Sequence, residues 1–289
     1  MDTQPYHRSI PTMNLAAILT ILSLTLIPQP GLSASDVPSD PNPPIRLSDE
    51  LVIQRLSEGV FLVTHSFPWP CNSLIVQSGK RDTYLVDTPC SPEATGQVIQ
   101  WIRQNIGPER IISIVTGFHI DNLGGVSYLI ENGIPVHGSD LTVELLRTDA
   151  KRSHDAMLPW LKNSPLFDYY ANLVLQPPNR VFAIHDGLLL KSGEETIEVW
   201  FPGASHSPDN TTVYFHSKKL LFGGCAVKSA NSTNLGNTFD ADTENWPNAI
   251  NGLIQRYPEA TLIVPGHGQH GDRKLLYHTL SLFGDTSRP

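Results

Sequence analysis

The sequence predicts an α+β protein in which two similar β-sheets are covered by helices. In the first half, alternating or β-branched apolar runs predict strands at residues 51–55, 60–64, 73–77, 83–87 and 111–115. The second half repeats the pattern near residues 181–185, 196–201, 211–215, 220–222 and 261–264. In both halves the strands lead into segments of helical periodicity, which favours layers of sheet and helix around a common core.

The helical segments begin at recognisable start signals. Ser91, Pro92 and Glu93 form a helix start, and an apolar stripe continues from them to Gly107. Residues 151–179 predict a helix followed by a loop. Further helices are predicted after residue 125, at about 139–147, at 244–255 and from residue 272.

Composition describes an ordinary globular protein. The 289 residues are 40% hydrophobic and 17% charged, and a chain of this length can bury a substantial core in one large domain or two small ones. The formal net charge of −8 argues against a nucleic-acid partner, which requires a basic face. The same charge repels anionic substrates, so any attraction for one must be local.

The N-terminus is typical of an exported protein. His7 and Arg8 precede an apolar run at residues 15–27, which is too short to span a bilayer comfortably and suits the core of a signal peptide. A buried N-terminal helix is the alternative. We expect a signal peptide at residues 1–34, a proline-rich linker at 35–48 and one folded domain at 49–289. The mature protein is then periplasmic and has no membrane anchor.

Three cysteines leave at least one without a cysteine partner. Cys71 precedes the strand at 73–77, and Cys90 follows the strand at 83–87. A tight turn at residues 78–80 folds these strands antiparallel and brings the two cysteines close, with Cys225 remaining free. A Cys71–Cys90 disulfide and a pair of free thiols are both compatible with the sequence.

Chemically active side chains recur in loops that follow predicted strands. Each alone has an ordinary explanation, such as a hydrogen-bonded loop pair, a turn cap or a small buried thiol. Glycine or proline flanks every one, which allows sharp turns that bring side chains together at strand ends. Imidazole, carboxylate and thiolate are also the preferred ligands of zinc. The candidate zinc ligands are His119, Asp121, His206, Cys225 and His267.

These motifs resemble the metallo-β-lactamase fold and, within it, the class B β-lactamases. The resemblance covers nearly all of the chain after the linker, and it implies an αββα sandwich with zinc sites in a groove at one edge. One site of the family uses three histidines; His119 and His206 match two of them, and Gly117 stands in the place of the third.

The second site of the family uses Asp, Cys and His, matched here by Asp121, Cys225 and His267. Lactonase and glyoxalase members instead carry Asp-His in the first motif and a bridging aspartate near the cysteine. This chain has Asn122 after Asp121 and keeps the cysteine, a combination that resembles the β-lactamases.

Three further residues resemble substrate-binding groups of the family. Lys228 resembles the lysine that pairs with the β-lactam carboxylate, although most loop lysines are simply exposed. Asn234 resembles the asparagine near the lactam carbonyl. Trp69 lies where members carry a mobile apolar loop over the groove, and packing beneath the sheet is its alternative.

The glycine at 117 weakens the histidine site because it supplies no side-chain donor. We therefore expect one tightly bound zinc at the Asp/Cys/His site and a second zinc that is weak or absent. Water held by His119, His206 and Asp121 is then the nucleophile, with Asp121 or His119 as the base and Asn234 near the carbonyl. Weak binding of a second zinc, or completion of the site by His65 or His270, are alternatives.

The resemblance implies zinc-dependent hydrolysis of the β-lactam amide bond of penicillins, cephalosporins or carbapenems by a monomer. Two other functions stay open at this point. One is a hydrolase of the same fold that acts on another ester, amide or lactone. The other is a zinc-binding protein without hydrolase activity.

Overall fold

The structure is a computed structural model that describes residues 43–284. The predicted signal peptide and most of the predicted linker lie outside the described residues. Within the described part, no helix combines the length and apolar character needed to cross a membrane.

The first sheet has eight strands that neighbour one another in chain order. The first five strands pair antiparallel, and the pairings from the fifth strand to the eighth are parallel. The strands are β1 (Ile45–Arg46), β2 (Leu51–Ser57), β3 (Val60–His65), β4 (Cys71–Ser78), β5 (Asp82–Val86), β6 (Arg110–Ile114), β7 (Val136–Ser139) and β8 (Arg180–Phe182).

The second sheet has five strands and places its last strand in sequence at one edge. Only that strand pairs parallel with its neighbour; the other pairings are antiparallel. The strands, in chain order, are β9 (Leu188–Ser192), β10 (Glu195–Trp200), β11 (Thr212–Phe215), β12 (Leu220–Gly224) and β13 (Leu262–Pro265).

The helices agree well with the predicted start signals. Ser91 caps the first helix, and its hydroxyl accepts a hydrogen bond from the backbone N–H of Ala94. The region predicted as helix followed by loop contains two helices. The helices are α1 (Pro92–Asn105), α2 (Ile120–Leu123), α3 (Val126–Glu131), α4 (Asp140–Thr148), α5 (Ala150–Leu161), α6 (Phe167–Ala171), α7 (Trp246–Arg256) and α8 (Lys274–Ser281).

The two sheets face each other across a continuous apolar core. Leu74 and Val86 of the first sheet lie in the same buried cluster as Val213 and Phe222 of the second. The outer face of the first sheet packs against α1, α3 and α4, and that of the second packs against α7 and α8. The arrangement is a four-layer αββα sandwich, which confirms the fold expected from the sequence.

Five elements escaped the sequence analysis, and each is short or at an edge: the five-residue helix α6, in the segment predicted as a loop, and the four described next. The strand β1 has two residues and pairs with β2, although it falls in the tract predicted as a linker. The strand β7 and the helix α2 have only four residues each, too few to show a period. The edge strand β9 leaves Leu189 60% exposed, so its apolar residues do not report a buried face.

The sandwich brings the loops of interest to one edge of the molecule. The strands β12 and β13 run parallel, so the loops after them lie side by side, and the Gly266 N–H donates to the Gly224 carbonyl at 2.7 Å. The Thr211 N–H donates to the Thr116 carbonyl at 2.9 Å and ties the loop before β11 to the end of β6. Residues far apart in sequence can therefore share one site.

Candidate metal centre

Asp121, Cys225 and His267 meet at the edge of the sandwich. The Cys225 Sγ lies 3.2 Å from Asp121 Oδ2 and 3.4 Å from His267 Nε2, and the latter two atoms are 2.9 Å apart. Donor atoms this close to one another can all bind a single zinc ion at the usual bond lengths of about 2.0–2.3 Å. The three residues are therefore a group that could hold a metal.

Two glycines make room for the thiol. Gly224 has a φ of +55°, which orients the chain as it enters Cys225. A Cβ at Gly266 would lie 2.7 Å from both the backbone N and the Sγ of Cys225. The flanking glycines seen in the sequence thus have a steric reason at this site.

The two ring nitrogens of His267 have different roles. Its Nδ1 lies 2.8 Å from the Pro70 carbonyl, which can only accept, so Nδ1 carries the proton. Nε2 lies 2.9 Å from Asp121 Oδ2 and can share a proton with it; a cation between Asp121 and Cys225 would bind the lone pair of Nε2 in place of that proton. A backbone acceptor behind a histidine ligand is the usual way of fixing its tautomer and orientation.

The charge states of the group suit a cation. Burial raises the pKa of Asp121, but the hydrogen bond and charge of His267 outweigh it and hold the pKa below its usual range. Burial, with the charge of Asp121, raises the pKa of the Cys225 thiol well above its usual value. A bound cation reverses this second effect, because a coordinating thiol loses its proton.

His119 lies beside this group and is held by Asp240. Its Nε2 is 2.9 Å from Asp240 Oδ2, so Nε2 carries the donated proton and the lone pair lies on Nδ1. Burial lowers the pKa of His119, but the Asp240 hydrogen bond and the neighbouring carboxylates leave it above its usual value.

His206 lies next to His119, with ring centroids 5.2 Å apart. Burial lowers the pKa of His206 well below its usual value, so the ring stays neutral. Its Nδ1 has no hydrogen-bond partner within residues 43–284. A buried nitrogen without a hydrogen-bond partner is costly unless a ligand or a water binds it. The His206 ring is therefore suited to bind a ligand or a water.

Gly117 lies close to Asn122 and Ser207. A Cβ at this position would be 3.0 Å from Asn122 Oδ1 and 3.5 Å from Ser207 Oγ. Neither His65 nor His270, the replacements considered from the sequence, lines the cavity beside His119 and His206. Within the described residues, the histidine site thus keeps the two imidazoles expected from the sequence.

A cavity of about 270 Å³ opens above these side chains. Asp121, His119, His206 and His267 form its floor. On the side of α5 and α6, an apolar wall suits the non-polar part of a small molecule; it consists of Met157, Tyr170 and, just after α6, Leu173 and Leu175. The remaining lining residues are Trp69, Phe118, Ile120, Ala150, Ser153, His154, Lys228, Gly236 and Asn237.

Lys228 is buried at the cavity wall, with 8% of its surface exposed. Its Nζ lies 5.0 Å from the centre of the Trp246 ring, and no carboxylate pairs with it within the described residues. Burial lowers its pKa. A buried cation without an anionic partner is expensive, so this lysine favours an anionic ligand.

The other two predicted substrate residues differ in placement. Trp69 lines the cavity, and its ring centroid lies 6.2 Å from that of Tyr170. Asn234 is exposed and outside the lining; its Oδ1 accepts a hydrogen bond from the Gly236 N–H of its own loop. Asn237, three residues further on, lines the cavity instead.

Sequence reasoning also missed Asp240 and the apolar wall from α5 and α6. Asp240 stands in a polar loop with no periodic signal, and its role depends on the fold of residues 225–245. The apolar residues of α5 and α6 lie in the segment predicted only as a helix followed by a loop, which gave no indication of a cavity wall.

Comparisons with known proteins agree with this geometry. Residues 66–267 match the Metallo-beta-lactamase superfamily. The chain is 35% identical over 213 residues to a metallo-beta-lactamase type 2 from Bacillus sp. (strain 170), covering 74% of this chain and 72% of that protein. It is 26% identical over 255 residues to the metallo-beta-lactamase type 2 of Bacteroides fragilis, covering 85% and 92%.

A solved metallo-beta-lactamase from Pontibacter korlensis superposes with a TM-score of 0.67 at 34% identity, covering 82% of this chain and all of that one. The chain therefore belongs to the metallo-β-lactamase superfamily. Its predicted resemblance to the class B enzymes is confirmed by these relatives.

Proposed function

We propose that this protein hydrolyses the β-lactam amide bond of penicillins, cephalosporins or carbapenems with one tightly bound zinc. Asp121, Cys225 and His267 hold that ion, and a second zinc at His119 and His206 is weak or absent. The broader activity, zinc-dependent β-lactam hydrolysis, is that of the relatives. The observation that carries the proposal is the convergence of Asp121, Cys225 and His267 within bonding range of one ion.

The donor set decides which site fills first. Asp121 and Cys225 both bind as anions, whereas His119 and His206 offer only two neutral nitrogens. Losing a residue that only hydrogen-bonds to a metal ligand already costs about 10–100-fold in metal affinity. The absence of a ligand at position 117 should therefore cost more. When bound, zinc acts as a Lewis acid that stabilises the negative charge developing on the amide during cleavage.

The residues beside the zinc site can hold and deprotonate the attacking water. Asp121 stays ionised, and the Nδ1 of His119 has a free lone pair because Asp240 fixes the proton on Nε2. Either atom can accept the proton of a water held between them and His206 as it attacks the carbonyl carbon. That proton then passes to the amide nitrogen as the C–N bond breaks and the ring opens, so the reaction consumes one water and gives an amine and a carboxylic acid, which ionises at neutral pH.

Substrate orientation depends on the cavity walls. The Nζ of Lys228 pairs with the carboxylate of the substrate, since it is buried without an anion of its own. The Asn237 amide, which lines the cavity, exchanges its bond to Met157 Sδ for one to the lactam carbonyl, and Asn234 remains the alternative from the same loop. Trp69 and the apolar wall hold the side chain of the drug.

The setting of the enzyme is also part of the proposal. The apolar run at residues 15–27 suits a signal peptide, which supports export to the periplasm with cleavage near residue 34. The domain then begins at residue 49 after the linker, and we expect the processed protein to be a monomer.

The test combines metal analysis with hydrolysis assays. Zinc content is measured on the mature protein beside hydrolysis of a penicillin, a cephalosporin and a carbapenem. We expect close to one zinc per chain and hydrolysis of at least one class. Cys225→Ser should lose the zinc and the activity together, whereas His216→Gln, at a histidine that pairs with Glu198 on the surface, should keep both. Full activity of Cys225→Ser with no bound zinc would contradict the proposal.

A further inference from the structure

A second cluster of buried ionisable groups lies close to the metal centre. His65, Cys71 and Cys90 are each no more than 4% exposed. The two cysteines are free thiols, and their Sγ atoms are 2.7 Å apart. The three side chains are close enough together to be considered as a metal site, so their chemistry must decide between a metal and a thiol pair.

The hydrogen bond of His65 argues for the thiol pair. Its Nδ1 accepts the backbone N–H of Cys90 at 3.0 Å. In the neutral ring the proton must then lie on Nε2, so neither nitrogen keeps a free lone pair for a metal. Burial lowers the pKa of His65 to about 4, which keeps the ring neutral.

We propose that Cys71 and Cys90 form a disulfide that braces the loops carrying two of the metal ligands. In forming this bond the two thiols lose two protons and two electrons. The oxidant is a small-molecule or protein disulfide of the export compartment. By thiol–disulfide exchange it accepts the two protons and two electrons and is reduced to two thiols. Because both cysteines are buried in the fold, the exchange takes place as the chain folds, and the completed bond is shielded from reductants.

The Cys71 end of the brace is connected to the His267 loop. Pro70, directly before Cys71, accepts the hydrogen bond from His267 Nδ1 at 2.8 Å. Asn72, directly after it, donates its backbone N–H to the Gly266 carbonyl at 2.8 Å and its side-chain amide to the Pro265 carbonyl at 2.9 Å. The chain around Cys71 therefore holds His267 from behind.

The Cys90 end is connected to the helix that carries Asp121. Gly124 lies directly on Cys90, since a Cβ there would approach the Cys90 carbonyl carbon to 2.4 Å. The Thr88 N–H donates to the Asn122 carbonyl at 3.1 Å, and the Thr88 hydroxyl accepts from the Gly125 N–H at 2.9 Å. A Cys71–Cys90 bond thus joins the support of His267 to the support of Asp121. This effect on metal retention rests on the proposed zinc site, whereas the bond itself rests only on the proposed export and not on zinc or on hydrolysis.

The first experiment counts thiols and needs neither zinc nor a substrate. The exported protein is purified without reductant, denatured in the presence of a chelator and alkylated. We expect one modified cysteine, Cys225, and two more after treatment with a phosphine reductant. Peptide mapping should find the linked 71 and 90 peptides, lighter than the reduced pair by two hydrogens. Three modified cysteines before reduction would overturn the disulfide.

A metal at the same cluster gives a different result. It would protect Cys71 and Cys90 from alkylation in the folded protein, and a chelator alone would expose them after denaturation. That outcome would also overturn the proposal, because a covalent bond is insensitive to chelators.

The second experiment compares oxidised wild-type protein with wild-type protein that has been reduced in denaturant and refolded with the reductant present, the reductant then being removed by desalting. The crosslink closes a loop between residues 19 apart, so the oxidised form should melt higher by roughly 5–10 °C. It should also lose zinc to a competing chelator about 10-fold more slowly. The Cys71→Ala/Cys90→Ala double variant should match the reduced form and show no response to reductant. Equal melting temperatures of the oxidised and reduced wild type would show that the bond braces nothing.

Discussion

Asp240 accepts the hydrogen bond of His119 Nε2 at 2.9 Å, and its two oxygens also accept from Arg152 at 2.8 Å and Ser153 at 2.6 Å. Burial raises the pKa of Asp240, but these donors outweigh it and hold the pKa below its usual range. One ionised carboxylate therefore fixes the tautomer of His119 and ties it to α5, which forms a wall of the cavity.

Replacing Asp240 by Asn should impair catalysis through His119. The Asn side chain has one accepting oxygen and no charge, so it cannot replace the carboxylate that accepts from all three donors. His119 then loses its fixed tautomer and orientation. We expect kcat/KM to fall by about 10–100-fold with little change in zinc content, because the tight zinc is held elsewhere. Steady-state kinetics and metal analysis measure both quantities. Asp168→Asn, an exposed carboxylate on α6, is the control; an equal loss there would remove the special role of Asp240.

Lys228→Ala should weaken substrate binding more than turnover. A hydrogen bond between charged partners contributes about 1.5–3 kcal/mol, so KM should rise by roughly 10–100-fold while kcat changes much less. Initial-rate kinetics with a penicillin and a cephalosporin test this. Lys80→Ala, at an exposed turn, should leave KM unchanged. An unaltered KM in Lys228→Ala would mean that this lysine does not bind the substrate carboxylate.

Asn237 and Asn234 offer a matched pair of substitutions in one loop. The Oδ1 of each side chain accepts a backbone N–H of the loop, but only Asn237 lines the cavity, where its Nδ2 donates to Met157 Sδ at 3.3 Å. A neutral hydrogen bond contributes about 0.5–1.5 kcal/mol, so Asn237→Ala should lower kcat/KM by roughly 2–10-fold. Asn234→Ala should have a smaller effect. The reverse order would restore Asn234 as the carbonyl-binding residue.

Gly117→His should raise the zinc stoichiometry towards two and increase turnover, provided that Asn122 moves. The new Cβ meets Asn122 Oδ1 at 3.0 Å, and that amide is held by its bond to Asp87 at 2.9 Å. Gly117→Ala therefore serves as the control, because it introduces the same Cβ without a ligand. We expect both variants to melt lower and only the histidine variant to bind more zinc by metal titration. No additional zinc in Gly117→His would show that position 117 does not face the second site.

Asp82 should contribute to resistance against acid unfolding. It accepts two bonds from Arg110, at 2.7 and 2.8 Å, and one from Ser192 on β9 at 2.6 Å, so it also joins the two sheets. The Arg110 hydrogen bond holds its pKa below the unfolded value of 3.8. Its stabilising contribution is therefore complete above that value and is lost as the pH falls through the lowered folded pKa.

The measurement is the free energy of unfolding, taken in denaturant at several pH values between about 5 and 2. Asp82→Asn should be less stable than the wild type near neutral pH, and the difference should shrink as the pH falls. A difference that is constant over the whole range would assign the loss to packing and not to the charge of Asp82.

Local patterns in the chain were enough for the strands, the main helices and the ligand types. Strand periodicity, the Ser91 cap and glycine-flanked His, Asp and Cys residues depend on neighbours within a few positions, so they can be read directly from the printed order of residues. The positions of His119, Asp121, His206, Cys225 and His267 after predicted strands indicated that these side chains converge, and the resemblance to the metallo-β-lactamase fold implied their place at one edge of a sandwich.

Long-range folding determined the remaining features. Asp240 reaches His119, Asn237 replaces Asn234 at the cavity, and Pro70 and Asn72 contact the loop of His267. These contacts depend on how loops pack across the two sheets, and their energies come from burial and hydrogen bonds between segments far apart in the chain. No periodicity or spacing along the polypeptide reports such contacts, because the partners are brought together only when the sandwich closes.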